Sequence, residues 1–161
     1  MIKAFAKLTL LLTLISCVFM IIGTATKYWS LEHGKHVGLW QKANHELRPW
    51  LQAVRVLEII GIFGAVFNFI LLIIYIKKED GQTNLLRIRL VALFSVISAF
   101  FCIAGVILYV GKKNAELNCP DCTFGWSLVL TCSGGAILAL MLLPIAVEIK
   151  RSRVLGSYES I

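Results

Sequence analysis

Hydrophobic positions in this chain come in blocks rather than in stripes. Four stretches, residues 5–24, 54–76, 90–110 and 124–149, are almost wholly apolar, and each supplies the roughly 20 residues that a helix needs to cross a bilayer core. The third and fourth carry no charge until their ends. Between the second and third lies the polar connector KKEDGQTNLLRIR with a turn signal at Gly81, short enough to force those two spans antiparallel. The pattern predicts an all-α membrane protein: a tetraspan domain over residues 1–149 and a polar cytosolic tail over residues 150–161. The first block also has the basic start, Lys3 and Lys7, of a signal peptide. Its apolar part is longer than the 7–15 residues usual for such a leader, so it is read as a span.

Composition agrees with the blocks. Of 161 residues, 58% are hydrophobic and 16% charged, against an apolar share of roughly 45–50% in soluble domains even with glycine included. The net charge of +7 would suit nucleic acid, but the lysines and arginines flank the apolar blocks, where they meet lipid headgroups. The bilayer is therefore the expected partner, and nucleic acid is not. One face of the membrane receives Lys3, Lys7, Lys77, Lys78, Arg87, Arg89, Lys150, Arg151 and Arg153. The other receives Lys27, Lys35, Lys42, Arg48, Arg55, Lys112 and Lys113. The excess on the first face places both termini in the cytosol. Trp29, Trp50, Tyr109 and Trp126 fall where the opposite face meets lipid, as an interfacial aromatic belt would.

The non-cytosolic loop over residues 28–50 concentrates the remaining chemistry. It holds three of the four tryptophans, the tripeptide Gly38-Leu39-Trp40 and all three histidines, His33, His36 and His45. Trp40 stands mid-loop, too far from the first span for a belt, so Trp29, Leu39 and Trp40 are expected to anchor the loop on the mouth of the bundle. Histidine changes charge near neutral pH, so an acidic compartment would add up to three charges here; solvated residues without a role are the simpler reading. The second loop, residues 111–123, contains Cys119 and Cys122. An oxidising lumen favours a local disulfide between them. Free thiols remain an alternative, and so does a metal or redox role, although a zinc site would need two further ligands and no βαβ pattern surrounds the pair.

Arg55 and Glu58 lie three residues apart near the start of the second span. On a helix they share a face and are expected to pair, which makes each cheaper to hold in a membrane. A structural clamp is favoured over an ion path, because the other spans offer no mid-membrane ionisable group to continue one. Asn68 is placed to bridge helices, and Gly61, Gly64, Ser95, Ser98, Gly134 and Gly135 supply small surfaces for close helix approach. No phosphate-binding loop, nucleophile elbow, zinc-protease motif or paired carboxylates are present. Neither enzymatic activity nor a cofactor or metal is expected.

The order Trp29, then Gly38-Leu39-Trp40, then Trp50-Leu51-Gln52-Ala53-Val54-Arg55-Val56-Leu57 resembles the tetraspan superfamily of claudins, peripheral myelin protein, epithelial membrane proteins and lens fibre membrane protein. Phe124-Gly125-Trp126-Ser127 before the fourth span is also similar to that family's pattern. The resemblance covers essentially the whole chain and implies a left-handed four-helix bundle with a small extracellular or lumenal β-sheet built mainly from the first loop. Claudins carry a cysteine pair after GLW; here QKANHELRPW follows Trp40 without one. A paracellular pore or barrier is correspondingly not expected.

Within the superfamily, the short first loop and a tail closing in Gly156-Ser157-Tyr158-Glu159-Ser160-Ile161 resemble the natural killer cell granule protein. That resemblance implies a membrane protein of lysosome-related or cytotoxic granules acting in trafficking or exocytosis. The alternatives are a claudin-like or epithelial-membrane-protein-like adhesion or membrane-organising protein at the cell surface, and an auxiliary subunit of a channel. Tyr158 and Ile161 fit a tyrosine-based sorting signal read by a clathrin adaptor, while the terminal carboxylate of Ile161 fits capture by a PDZ domain.

Overall fold

A computed structural model of the chain describes residues 2–32, 35–40, 49–77, 81–117, 123–147 and 149–150. Four helices follow from the four apolar blocks: α1 (Ile2–Ala25), α2 (Pro49–Lys77), α3 (Gly81–Leu117) and α4 (Trp126–Leu140). Each contains a stretch long and apolar enough to cross a membrane, Lys7–Ala25, Pro49–Lys77, Leu86–Ala115 and, with the turn that continues α4, Trp126–Val147. The helices pack in a ring, α1 on α2, α2 on α3, α3 on α4 and α4 back on α1. The protein is a multi-pass membrane protein. Leu8, Phe63, Phe100, Ile107 and Leu143 stay exposed on its outer face, where lipid rather than water is the neighbour such side chains require.

Two ends differ from the sequence-based expectation. α3 begins at Gly81 rather than near residue 90, because the polar residues after Gly81 form its first turns instead of a free connector. At about 1.5 Å per residue the helix is about 55 Å long, well beyond a hydrocarbon core of about 30 Å. α4 is interrupted at Met141. Pro144 explains the break: it has no N–H for the carbonyl four residues back, at Leu140, and its ring crowds that carbonyl. Helix resumes over residues 142–147.

Small residues set the spacing of the bundle. Ser16 Oγ donates to the Gly134 carbonyl at 2.6 Å, Ser98 Oγ donates to the Gly61 carbonyl and Asn68 Nδ2 donates to Ser95 Oγ at 2.8 Å. A Cβ added at Gly64 would press on Ser98, and one at Gly134 on Met20 and the Ser16 carbonyl. Interhelical hydrogen bonds of this kind are modest, about 0.6 kcal/mol on average, but in lipid they fix which faces meet. Three buried clusters stack along the bundle: Leu72, Ile88, Val91 and Ile145 at the end bearing the termini; Cys17, Met20, Ala65, Ala99, Cys102 and Leu138 in the middle; and Trp29, Leu39, Val54, Val106, Tyr109 and Leu128 at the opposite end.

Above that last cluster lies a three-stranded antiparallel sheet in the order β2-β1-β3. β1 (Ser30–Glu32) pairs with β2 (Lys35–Val37) from the same loop, Leu31 opposite His36. Its other edge pairs with β3 (Thr123–Phe124), Ser30 opposite Phe124. The sheet is thus not a product of the first loop alone, since the second loop supplies its third strand. A two-residue strand has no alternation for sequence reading to detect.

Candidate functional site

The chemistry at the sheet end starts with backbone that must be held without water. As α1 finishes, Trp29 turns inward and is fully buried. Its Nε1–H donates to the Gly23 carbonyl at 2.7 Å, satisfying the indole and one of the terminal carbonyls that a helix leaves unpaired. The Trp29 ring meets Tyr109 of α3 edge-on, with centroids 4.9 Å apart. Tyr109 is buried in turn, its hydroxyl 3.0 Å from Ser30 Oγ, and Trp50 approaches its other side at 5.9 Å. The interfacial belt expected from the sequence is therefore corrected. Trp29 and Tyr109 are core residues, Trp50 is half-buried, and Trp126 is the exposed member of the four. Position along a span does not reveal which way a ring faces.

The GLW tripeptide docks beside them. Leu39 is fully buried against Trp29 and Val54. Trp40 keeps about half its surface exposed while its Nε1–H donates to the Thr24 carbonyl at 2.9 Å. Gly38 is the residue that lets the loop come so close, because a Cβ there would fall against the Lys27 Cα. Arg55 closes the arrangement from α2. Its Nε–H donates to the Leu39 carbonyl at 2.8 Å, and its guanidinium lies 5.6 Å from the centre of the Trp40 ring, within cation–π range.

The expected Arg55–Glu58 pair does not form. Arg55 reaches outward to the loop, where a carbonyl and an aromatic face are available, while Glu58 points into the bundle against Gly105 and is fully buried. Both of its carboxyl oxygens lack a hydrogen-bond partner among the described residues. The sequence spacing put the two on one helix face, but the loop carbonyl from residue 39 outcompeted the carboxyl for the guanidinium.

The second loop docks on the same frame. Gly125 N–H donates to the Trp29 carbonyl at 2.9 Å, and Ser127 N–H to the Tyr28 carbonyl at 3.2 Å. A side chain at Gly125 would run into the Tyr28 carbonyl. Outside, Trp126 stacks on Tyr28 at 5.3 Å and His36 meets the same tyrosine edge-on at 4.6 Å. His33, His45, Cys119, Cys122, Tyr158 and Ile161 lie outside the described residues. Cys17, Cys102 and Cys132 are free thiols within the spans. Among the described residues no group of three His, Cys, Asp or Glu side chains stands together to hold a metal. The arrangement positions a surface.

Four apolar helices, a small sheet and a GLW loop tied down by a tryptophan and an arginine define a tetraspan membrane protein with a sheet anchored at one end. Comparison with known proteins finds relatives named for a claudin domain. The chain is similar to "Claudin domain-containing protein 2" of Mus musculus, 26% identical over 120 residues that cover 73% of this chain and 70% of that protein. It is likewise similar to "Claudin domain-containing protein 2" of Homo sapiens, 27% identical over 128 residues that cover 73% and 71%. No protein-family model matches the chain.

Proposed function

We propose that this protein is a non-enzymatic claudin-like tetraspan of lysosome-related or cytotoxic granules, acting in granule trafficking or exocytosis through contacts of its helix faces and anchored sheet. The observation that carries the contact role is the Arg55–Leu39 bond with Trp40 beneath the guanidinium. It holds the sheet as a fixed platform at one end of the bundle, as an adaptor or organiser requires. Both termini are cytosolic in this reading, which leaves the platform lumenal.

Granule residence rests on the tail. About ten residues beyond Lys150 can extend up to roughly 35 Å, so Tyr158 and Ile161 reach a soluble clathrin adaptor while Lys150, Arg151 and Arg153 stay at anionic headgroups. Cell-surface adhesion is the second reading, favoured by the similarity to two claudin domain-containing proteins; there a PDZ domain would take the Ile161 carboxylate. Imaging the full-length protein in its native cells separates them. Tyr158→Ala is expected to move it from vesicles to the surface, and residues appended after Ile161 are expected to leave it in vesicles. Border staining that survives Tyr158→Ala and disperses with the appended residues would overturn granule residence in favour of adhesion.

A further inference from the structure

Each of the four helical segments brings a cation to the end of the bundle that bears the termini. Lys7 opens the apolar stretch of α1, Lys77 closes that of α2, Arg87 is the second residue of that of α3, and Lys150 lies three residues beyond that of α4. The buried cluster of Leu72, Ile88, Val91 and Ile145, with Leu10, Tyr75 and Ile149 packed against it, fixes their common level. Lys7 stands one turn before Leu10, Lys77 two residues after Tyr75, Arg87 directly before Ile88 and Lys150 directly after Ile149. All four cations therefore lie on the terminal side of that cluster. The three lysines are exposed and Arg87 is half-buried. Arg87 Nη1 is shut off from solvent and has no hydrogen-bond partner among the described residues. The acidic residues that the sequence brings to this end, Glu79, Asp80 and Glu148, lie outside the described residues.

A guanidinium carries a permanent charge, and a charged donor sealed from water without an acceptor is costly. The apolar stretches end at the level of Arg87, which is where the headgroups of a bilayer begin. Phosphate oxygens match the guanidinium fork two at a time. We propose that Arg87 is the centre of a lipid-headgroup site at this end of the bundle, and that the site takes a phosphomonoester such as that of phosphatidic acid or a phosphoinositide. Charge and oxygen count decide the class. The phosphodiester of an ordinary headgroup carries a single charge, which one surface lysine satisfies. A phosphomonoester carries nearly two charges near neutral pH and presents three terminal oxygens, enough for the Arg87 fork and for a lysine from a neighbouring helix. The site uses neither the sheet nor the tail signal, so it stands apart from granule residence.

The purified full-length protein in phosphatidylcholine nanodiscs provides the test. The discs are doped with phosphatidic acid or, at equal total negative charge, with phosphatidylserine. Phosphatidic acid is expected to raise the unfolding midpoint by about 2–4 °C above phosphatidylserine. Arg87→Gln is expected to abolish the difference, and so is Arg87→Lys, which keeps the charge but loses the fork. Inorganic phosphate added to pure phosphatidylcholine discs is expected to leave the midpoint unchanged. Equal midpoints in the two anionic lipids would mean non-specific surface attraction, and a difference that survives Arg87→Gln would mean binding elsewhere; either result sinks the site. A rise with inorganic phosphate alone would mean that a soluble anion is taken, which overturns the lipid assignment. Native mass spectrometry of the unsubstituted protein covers the case in which the variants fail to fold. Released from discs containing both anionic lipids, the protein is expected to retain phosphatidic acid in preference, and equal retention of the two overturns the proposal.

Discussion

Arg55 Nε lies 2.8 Å from the carbonyl oxygen of Leu39, across 16 residues of chain. That bond ties the start of the second span to the middle of the first loop. A hydrogen bond to a charged donor is worth about 1.5–3 kcal/mol, and here the guanidinium also covers the Trp40 face. Arg55→Met is therefore expected to destabilise by about 2 kcal/mol, and amide exchange should quicken at residues 35–40 while the mid-bundle helices stay protected. Thermal unfolding and hydrogen exchange on the reconstituted protein check both parts.

Trp29 separates packing from hydrogen bonding. Trp29→Phe keeps an aromatic ring against Tyr109 but removes the donor to the Gly23 carbonyl, and a loss of about 1–3 kcal/mol is expected from the unpaired buried acceptor. Trp29→Ala additionally opens a cavity and should cost about 3–5 kcal/mol. Unfolding midpoints that fall in that order test the assignment.

Trp40 carries less buried area and more connectivity. Trp40→Ala removes the donor to the Thr24 carbonyl and the ring beneath Arg55 together, so the loop loses two of its ties to the helices. The variant is expected to be held back early in the secretory pathway. Glycan processing of a tagged version compared with the parent protein reports it.

Glycines offer a test with opposite signs. Gly38→Ala and Gly125→Ala place a methyl against backbone atoms of Lys27 and Tyr28, and neither backbone can yield without undocking the sheet; a cost of at least about 1–3 kcal/mol is expected from the overpacking. Gly111→Ala, on α3, meets nothing within 4 Å and should stabilise by about 0.5–1 kcal/mol through helix propensity. Parallel thermal scans of the three variants decide the matter.

The spans were legible because hydrocarbon demands long uninterrupted apolar helix, a requirement written directly in the order of residues. What those spans face was not. Trp29 and Trp126 occupy comparable positions at span ends, yet one is buried and the other exposed, and only the partner helix and sheet distinguish them. Arg55 and Glu58 show the same limit from another side. Their spacing describes what one helix can do alone, whereas the acceptor that took Arg55 comes from Leu39, and the surface facing Glu58 comes from Gly105. The GLW tripeptide stood out in the sequence, but its tie to Arg55 required the third dimension.

β1 is the middle strand, with a first-loop strand on one edge and a second-loop strand on the other. Ribosomal synthesis delivers these pieces far apart in time. β1 and β2 emerge after the first helix, but β3 and the amide of Gly125 that seals the Trp29 carbonyl arrive only when the fourth helix follows. Until then the hairpin carries an open edge. Completion of this small sheet therefore waits on the segment that leads into the fourth helix, and a chain truncated before residue 123 lacks the strand that closes the open edge of β1 however well its first three helices fold.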